Sequence, residues 1–548
     1  GALRRMPQRP RPGPPPPAPR GRVTLTAVAP GARVHAFYHA NDHPLGLRYV
    51  RVCQSVDARP LVGLSSGWLA ATVLTPWEPG GASRSGEGGD GEAARVHVRF
   101  SGLFRDAVAG CSEGLEMRVH ASLVRLQGSQ ERPPPVLLSV LAVRWWDYAS
   151  NAAWSDYSVT SDGLHRDLID GPCGPACTLA GEFEVLSAFV GCDADLGRLS
   201  EHWARAALRG ANVVAWYLLW PQRSAAAGRA AGAVGERQLF ALCERLERVG
   251  IRSGWPHPAG LYRQLCGKLW LPQMSLSREH RVPPTTAVQR ADVRCDAARA
   301  AEQAVDALLR LRREVWGPAA GGASREEFQG VAKLGFSWQG DDVLPFRGVG
   351  NLARVLRRLL EQRHSEQCLC LVQERVPDVV CEHRVLCFHD AARGSNCYRR
   401  ERLWMKLKAR GEHHSHQSAC EVADFALTSA RVLSDAEAAD AAFGGDWGAL
   451  RQARDAAEAL VGRWLLWLSA AGADPAPVVR LDFLVSRGGP GGGPAAWTCE
   501  VGECGASLCS VECDARNCAV LNWAVRRDPS GRFPAALPSV ARNSGWKS

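Results

Sequence analysis

The sequence predicts a multidomain protein in which a small all-β domain precedes an α/β domain and a C-terminal α+β domain. Three observations support this fold class: alternating polar and apolar stretches before residue 127, a strand–helix alternation from about residue 181, and a C-terminal hairpin pattern. A chain of 548 residues can build several cores. The expected domains are 1–22 (a Pro/Arg-rich arm), 23–127 (all-β), 128–180 (a linker without an assigned fold), 181–290 (α/β), 291–522 (α+β) and 523–548 (a tail).

The N-terminal arm has a Pro-rich run, many arginines and no acidic residue, which is typical of a disordered segment. No apolar run reaches the roughly 20 residues of a bilayer span, so we expect no membrane partner. The net charge of +10 favours anionic partners such as nucleotides, and only the charge of the arm would suggest nucleic acid. We expect a cytoplasmic protein. A nuclear or organellar location stays open, because the chain begins at Gly1 and a targeting segment can be missing.

The 19 cysteines are scattered without paired spacing, as buried small apolar residues are, and do not form a disulfide framework. The cluster of Cys504, Cys509, Cys513 and Cys518 lacks the close CxxC pairs of a zinc site. A reducing compartment is therefore expected.

Three stretches of the all-β region alternate in polarity: Trp68–Leu74, Ala94–Phe100 and Met117–Val124. Their order and the Gly/Ser-rich loop between the first two resemble Tudor or agenet-type SH3-like barrels over roughly 70 residues. Such a barrel can bind a methylated cation in an aromatic cage. The aromatic residues in question, which could equally form the core, are Phe37, Tyr38, Tyr49, Trp68 and Phe100.

From residue 181 the chain alternates between strands and helices. We expect strands at Phe183–Val190 and Ala211–Trp220, helices at Asp195–Leu208 and Glu236–Val249, and a short strand ending at Trp255. This rhythm predicts a small parallel sheet. The region has no GxGxxG turn, so a dinucleotide-binding Rossmann site is not supported.

The C-terminal half carries further periodic segments. Helices are expected at Asp292–Val315, Gly350–Gln362 and Asp446–Ala470, and strands at Gln367–Arg375 and Glu382–Phe388. The region between the last of these strands and the final helix looks loop-like. It contains Lys406, Lys408 and the histidines His413, His414 and His416, where an acceptor substrate could approach; the histidines could bind metal or form a solvated polar loop.

The final hairpin pattern consists of two strands, Val478–Val485 and Ala496–Val501, joined by a Gly/Pro-rich turn. If the turn is centred near position 491, Asp482 lies opposite Glu500, with Cβ atoms about 5 Å apart. Arg480 lies two residues before Asp482 and therefore on the same face. Two adjacent carboxylates need a bridging positive charge. Either a divalent cation that carries substrate phosphates supplies it, or Arg480 neutralises an exposed charged hairpin.

Only five lysines stand among the 66 basic residues, and two of them lie in Gly-containing segments that suit a nucleotide site. Lys268 follows Gly267, and Lys333 lies on a strand-like segment followed by the polar loop around Gly340. Lys is a compact point charge suited to a phosphate, and such a loop can present backbone N–H groups to a triphosphate.

The order of these motifs resembles the ATP-grasp superfamily over roughly residues 181–518. The segments VRLDF and TCEVGE are similar to the metal-binding end of the D-alanine–D-alanine ligase branch, and EHRV is similar to a strand of glutathione-synthetase relatives. The resemblance implies a pre-ATP-grasp α/β domain followed by an ATP-grasp domain, with ATP and Mg²⁺ or Mn²⁺ as cofactors. It implies these roles: metal ligands Asp482 and Glu500; catalytic Arg480 and Arg384; phosphate-binding Lys268 and Lys333; a phosphate loop at Gly340; an adenine hinge at Gln373 and Glu374; and a ribose contact at Glu382.

One position departs from that family. Gly502 stands where the family has Asn, and Glu503 follows, which could supply the missing metal-binding oxygen. The resemblance implies an ATP-dependent carboxylate–amine ligase that acts through an acyl phosphate on an amino acid, a peptide or a protein tail. The alternative is a non-catalytic ATP-binding protein whose Tudor-like domain reads modified peptide tails.

Overall fold

The computed structural model has a mixed α/β fold with several sheets. No helix among the described residues combines the length and apolar character needed to cross a membrane. Two compact units are present: the first comprises Gly1–Phe37, Trp68–Gly102 and Gly114–Pro133, and the second comprises the remainder. The described residues are 29–39, 49–52, 61–78, 95–100, 104–106, 116–120, 124–127, 136, 138–145, 183–190, 193–218, 234–255, 257–317, 324–335, 343–361, 369–390, 393, 397–409, 427–471, 475–476, 478–488 and 492–502.

The described residues before 130 are strands: β1 (Arg33–His39), β2 (Tyr49–Val52), β3 (Leu61–Glu78), β4 (Arg95–Phe100), β5 (Phe104–Asp106), β6 (Glu116–His120) and β7 (Val124–Leu126). In the first unit, β4 pairs antiparallel with β3 and β6, and β1 pairs antiparallel with β7. Val96, Val98 and Phe100 of β4 are buried. Every second residue of this strand therefore faces a core.

The strands predicted at Trp68–Leu74 and Ala94–Phe100 are confirmed. Of the strand predicted at Met117–Val124, the part up to His120 lies on β6 and Val124 begins β7, and residues 121–123 lie outside the described residues. The Tudor-like or SH3-like barrel stays a prediction.

The proposed aromatic cage loses one member. Phe100 is fully buried, so it belongs to the core and cannot contact an exposed methylated cation. The side chains of Phe37, Tyr38, Tyr49 and Trp68 lie outside the described residues.

The second unit contains four parallel strands in the order β11-β10-β8-β9, and β9 also pairs antiparallel with residues 61–66 of β3. Its strands are β8 (Leu138–Trp145), β9 (Phe183–Val190), β10 (Asn212–Leu218) and β11 (Arg252–Trp255). Residues 140–143 of β8 are all buried, as is usual for a strand covered on both faces. The predicted parallel sheet is confirmed. Its strand β8 lies in the 128–180 segment, which was expected to be a linker without an assigned fold.

The helices of this sheet are α1 (Asp193–Arg198), α2 (Glu201–Ala207) and α3 (Glu236–Arg248). The prediction of one helix at Asp195–Leu208 is wrong, because the chain is extended at Ser200. The Ser200 hydroxyl accepts a hydrogen bond from the backbone N–H of Trp203 and so begins a second helix. The helix predicted at Glu236–Val249 is confirmed.

A four-stranded antiparallel sheet follows, with the order β12-β15-β13-β14. Leu308, Phe346 and Leu356 share the core between this sheet and its two long helices. In chain order, the elements of this part are α4 (Ala259–Cys266), α5 (Trp270–Met274), β12 (Thr285–Gln289), α6 (Arg290–Trp316), β13 (Gln329–Leu334), β14 (Val343–Arg347), α7 (Gly348–Glu361) and β15 (Leu369–Glu374).

The last sheet has five strands in the order β18-β17-β16-β19-β20, and all neighbours are antiparallel. Trp464 of the last helix packs into the core of this sheet beside Leu481 and Phe483. The elements are β16 (Val379–His389), β17 (Tyr398–Ala409), β18 (Leu427–Leu433), α8 (Asp435–Phe443), α9 (Trp447–Ala471), β19 (Val478–Ser486) and β20 (Ala495–Gly502).

The region predicted to be loop-like after β16 contains two strands instead. Lys406 and Lys408 lie on β17, which pairs with β16 and β18. The buried Leu403, Trp404 and Met405 hold this strand in the sheet, although charged residues flank them in the sequence. His413, His414 and His416 lie outside the described residues.

Candidate functional site

The candidate site lies on the face shared by β16, β19 and β20. Asp482 pairs directly with Glu500, and Arg480 pairs with Gly502, so the predicted register is confirmed. The next pair is Phe483 with Thr498, which leaves Cys499 as an extra residue in a β-bulge. Because of the bulge, the regular alternation of side chains between the two faces of β20 is interrupted at Cys499, immediately before Glu500.

Arg480 bridges the two carboxylates. Its Nε lies 2.9 Å from Asp482 Oδ1 and its Nη2 lies 2.7 Å from Asp482 Oδ2, which is a bidentate pair. The same Nη2 lies 3.4 Å from Glu500 Oε2. Asp482 is 2% exposed and Arg480 is 8% exposed, so this ion pair is buried, whereas the Glu500 side chain is 36% exposed.

Lys268 reaches the same cluster from the turn between α4 and α5. Its Nζ lies 3.3 Å from Glu500 Oε1. The backbone of Lys268 has a φ of +54°, a left-handed conformation that is unfavourable for a residue with a side chain. Its N–H donates to the carbonyl of Leu265, and its own carbonyl accepts from the N–H of Leu271. The turn therefore holds Lys268 in a strained conformation that directs it to Glu500.

Glu382 and Arg384 extend the charged face onto β16. Arg384 is the cross-strand partner of Asp482. Its Nε lies 2.7 Å from Glu382 Oε1 and 3.8 Å from Asp482 Oδ2. The expectation that Glu382 and Arg384 share one face is confirmed. Carboxylates and guanidinium groups thus alternate across three adjacent strands.

Lys333 is buried on β13 and has an amide partner. Its Nζ lies 3.2 Å from Gln373 Oε1, and Gln373 Nε2 donates to Thr285 Oγ1 at 2.8 Å. Burial, with a smaller contribution from nearby Lys268, lowers the pKa of Lys333 to about 8 against the opposing effects of Cys499 and Glu500. An anion beside this ammonium group would favour its charged form.

Glu374 stands apart from these groups. It follows Gln373 on β15, so its side chain lies on the opposite face of the strand. Its carboxylate lies 3.3 Å from Arg312 of α6, and burial raises the pKa of Glu374 to about 7 against the effect of Arg312. The structure therefore brings Gln373, but not the side chain of Glu374, to Lys333.

The two hairpin carboxyl groups have opposite pKa shifts. Burial raises the pKa of Asp482, and the nearby Glu382 and Glu500 carboxylates add to this effect against the attraction of Arg480 and Arg384. For Glu500, burial acts in the same direction, but Lys268, Arg480 and Lys333 together lower its pKa. Glu500 is therefore the more readily ionised member of the pair.

The donor set fits Mg²⁺ that is shared with phosphates. Within the described part of the chain, no three His, Cys, Asp or Glu side chains converge to hold a metal ion. Protein-bound Mg²⁺ commonly has only one or two carboxylate ligands and takes its other ligands from water and substrate phosphates. Asp482 and Glu500 could supply two such carboxylates, and the Lys268 and Lys333 ammonium groups both lie near Glu500.

Two predicted site residues, Gly340 and Glu503, lie outside the described residues. Sequence reasoning missed Cys499 and Thr285. Cys499 lies close enough to Lys333, Glu382 and Glu500 for their charges to affect its thiol, whose pKa burial raises to about 12. Its place depends on the bulge, for which the sequence has no signal. Thr285 orients Gln373 across two strands that are 88 residues apart in the sequence.

No family model matches the chain, and no curated protein matches it. Among solved structures, the chain is similar to D-cycloserine synthetase, with 17% identity and a TM-score of 0.37 over 71% of this chain and 99% of that one. It is similar to D-alanyl-alanine synthetase A from Vibrio cholerae, with 12% identity and a TM-score of 0.40 over 71% and 99% of the two chains. It is also similar to a D-alanine–D-alanine ligase from Bacillus anthracis complexed with ATP, with 11% identity and a TM-score of 0.38 over 72% of this chain and 97% of that one. TM-scores below 0.5 do not establish a shared fold, so the function below is drawn from the residues of the site.

Proposed function

We propose that this protein is an ATP-dependent ligase of the ATP-grasp type that joins a carboxylate to an amine. The observation that supports the proposal most directly is the pair Asp482 and Glu500 on adjacent strands, with Lys268 Nζ 3.3 Å from Glu500. The two carboxylates suit a divalent ion, and the cationic side chains beside them suit a polyphosphate. The two sets of side chains together therefore suit a complex of the ion with the polyphosphate better than either set would alone.

In the proposed reaction, an oxygen of the substrate carboxylate attacks the γ-phosphorus of ATP, and ADP leaves. The amine then attacks the carbonyl carbon of the acyl phosphate; the C–N bond forms, the C–O bond to phosphate breaks, and the amine loses a proton. Lys268 and Lys333 offset phosphate charge, while Arg480 and Arg384 stabilise negative charge on the reacting oxygens. Asp482 and Glu500 would hold a magnesium ion, which when bound would supply Lewis-acid stabilisation to a phosphoryl group.

The acceptor is proposed to be an amino acid, a peptide or a protein tail. The chain's excess of basic residues favours an acidic acceptor over a basic one. We propose testing free amino acids and acidic peptides in parallel, because the two kinds of substrate would place the chain in different branches of ligase chemistry.

The first experiment measures Mg·ATP binding by calorimetry and then ADP release with mixtures of amino acids or tail peptides. We expect Mg·ATP to bind, and Asp482→Asn to weaken binding at least about tenfold, because a metal ligand should cost no less than an outer-shell partner. Asp455→Asn on the exposed surface of α9 serves as the matched control and should bind like the wild type.

Equal Mg·ATP affinity for the wild type and Asp482→Asn would contradict the assigned metal site. ATP binding without ADP release under every acceptor mixture would contradict the ligase and favour the non-catalytic reader. In that case, a methylated tail peptide should bind in a separate titration.

A further inference from the structure

A backbone contact joins the segments that carry the two lysines. Gly335 lies two residues after Lys333, at the end of β13, and its N–H donates to the carbonyl of Leu369 at 3.1 Å. A Cβ atom placed on Gly335 would lie 2.6 Å from the carbonyl oxygen of Gly267, the residue before Lys268. Real Cβ atoms do not approach a backbone oxygen so closely, so any side chain at Gly335 must push the two segments apart.

Position 335 needs glycine because there is no room for a side chain, and not because of its backbone conformation. Residues with a positive φ in the described chain include Lys268 but not Gly335, so alanine could adopt the backbone conformation of Gly335 without strain. The contacted atom belongs to the backbone, so it cannot move aside as the end of a flexible side chain would. The effect of a substitution therefore falls on the Gly267–Lys268 turn.

The turn is also held on its other sides. A Cβ atom on Gly267 would lie 2.9 Å from Glu236 Oε1 of α3. After the turn, the ring of Trp270 packs on Trp464 at a centroid distance of 5.0 Å. The Trp464 indole Nε1 in turn donates to Thr498 Oγ1 at 3.0 Å, two residues before Glu500. The turn is thus confined between α3, the end of β13 and the strand that carries Glu500.

We infer that Gly335 is a positioning residue that sets where the Lys268 ammonium group stands relative to Glu500 and to a bound phosphate. It lets β13 approach the Gly267 carbonyl, so that the strand bearing Lys333 fixes the turn bearing Lys268. The place of Lys268 relative to β13 is then set by one rigid backbone contact. The inference rests on the proposed function only in taking the bound anion to be the phosphate of ATP.

The test is a double-mutant cycle on Mg·ATP affinity, measured by calorimetry. Gly335→Ala should raise the Kd about tenfold in the wild-type background, a change typical of a displaced charged hydrogen bond. In the Lys268→Ala background, Gly335→Ala should change the Kd by less than about twofold, because the group that Gly335 positions is already absent. Equal effects of Gly335→Ala in the two backgrounds would overturn the inference.

A matched control separates positioning from loss of stability. A Cβ atom on Gly210, at the start of β10 in the parallel sheet, would lie 2.6 Å from the backbone nitrogen of Ser139. Gly210→Ala should therefore lower the melting temperature by a comparable amount but leave the Kd of the folded protein unchanged. If Gly210→Ala weakens Mg·ATP binding as much as Gly335→Ala does, the effect is general destabilisation and the inference fails.

A crystal structure of Gly335→Ala gives a readout that does not depend on ATP. Lys268 Nζ should move beyond 4 Å from the Glu500 carboxylate, compared with 3.3 Å in the wild type. If Lys268 keeps its place, Gly335 does not position it. If the wild type binds no nucleotide, the proposed function fails, and this distance still decides the inference about Gly335.

Discussion

At the scale of single residues, Glu374 is a buried carboxyl group whose negative charge is only partly offset by its neighbours. Its Oε2 has no hydrogen-bond partner in the described structure, and Arg312 is its ion-pair partner at 3.3 Å. Burial raises its pKa from 4.5 to about 7. The folded chain therefore keeps a proton between pH 4.5 and 7 that the unfolded chain has lost, and stability from this group falls as the pH rises through that window.

We expect Glu374→Gln to raise the free energy of unfolding at pH 8 by about 2 kcal/mol, because the amide has no charge to bury. At pH 4.5 the difference from the wild type should become small, since the carboxyl group is then protonated in the folded chain and already about half protonated in the unfolded chain. Urea denaturation at the two pH values measures it. An equal effect at both pH values would show that packing, and not ionisation, is responsible.

The residue scale also shows what a single sequence can reveal about a site. The prediction that Asp482 lies opposite Glu500 assumed a turn centred near position 491 and a constant sum of paired position numbers, as in a regular antiparallel hairpin. The bulge at Cys499 changes that sum by one, so the numbers give the observed pair only because the assumed centre matches the register beyond the bulge. The pairing of Lys268 with Glu500 could not be predicted, because they lie 232 positions apart in the sequence and their contact depends on a strained turn. Cys499 was missed because one bulged residue shifts the register without a glycine or proline to mark it.

At the scale of elements, Thr498 links β20 to two other parts of the chain. Its Oγ1 accepts from Trp464 Nε1 of α9 and donates to the carbonyl of His280 at 2.6 Å. Thr498→Val keeps the shape but leaves the indole N–H and the carbonyl unpaired in a buried place. We expect the free energy of unfolding to fall by about 2 kcal/mol in urea denaturation.

Thr498→Ser is the control for this prediction, because it keeps the hydroxyl and removes a methyl group at a cost of about 1 kcal/mol. The prediction is wrong if the serine variant is destabilised as much as the valine variant. A larger loss for valine shows that the hydrogen bonds, more than the methyl packing, hold β20 against α9.

Elements with a strong hydrophobic periodicity were predictable. Elements whose ends or type depend on a single capping residue or on pairing with distant strands were not. The amphipathic pattern predicted α3 within one residue of its observed end. The break at Ser200 was not predicted, because a hydroxyl that caps a helix looks in sequence like any polar residue on a helix surface. β17 was missed because its Arg and Lys residues conceal the apolar alternation that sheet pairing with β16 and β18 requires.

At the scale of the whole molecule, the order of strands in the sheets could not be predicted, because it depends on pairing between strands that are far apart in the sequence. The strand sequence of β8 is apolar and β-branched, but its place between β9 and β10 is set by partners tens of residues away. The order of β16, β19 and β20 is likewise a property of the folded sheet, and it is this order that gathers Arg384, Asp482 and Glu500. The ends of the hairpin were predictable because its contacts are local.

Buried histidines give the molecule a collective sensitivity to acid. Burial lowers the pKa of His257 to about 3 and that of His383 to about 4, and the His257 ring has no hydrogen-bond partner in the described structure. The unfolded chain binds protons at these groups near pH 6.5, whereas the folded chain does not. Their contribution to stability is therefore complete above pH 6.5 and is lost as the pH falls toward the folded pKa values.

We expect each histidine to cost about 2 kcal/mol of stability at pH 5 relative to pH 7.5. The double variant His257→Phe/His383→Phe keeps a ring at both positions. At position 383 the histidine ring centroid lies 4.1 Å from that of Trp404. Its melting temperature should fall less than that of the wild type between pH 7.5 and pH 5. The opposing titration of Glu374 is present in both proteins and cancels in the difference. Identical pH profiles for the two proteins would show that the histidines do not set the acid limit of this fold.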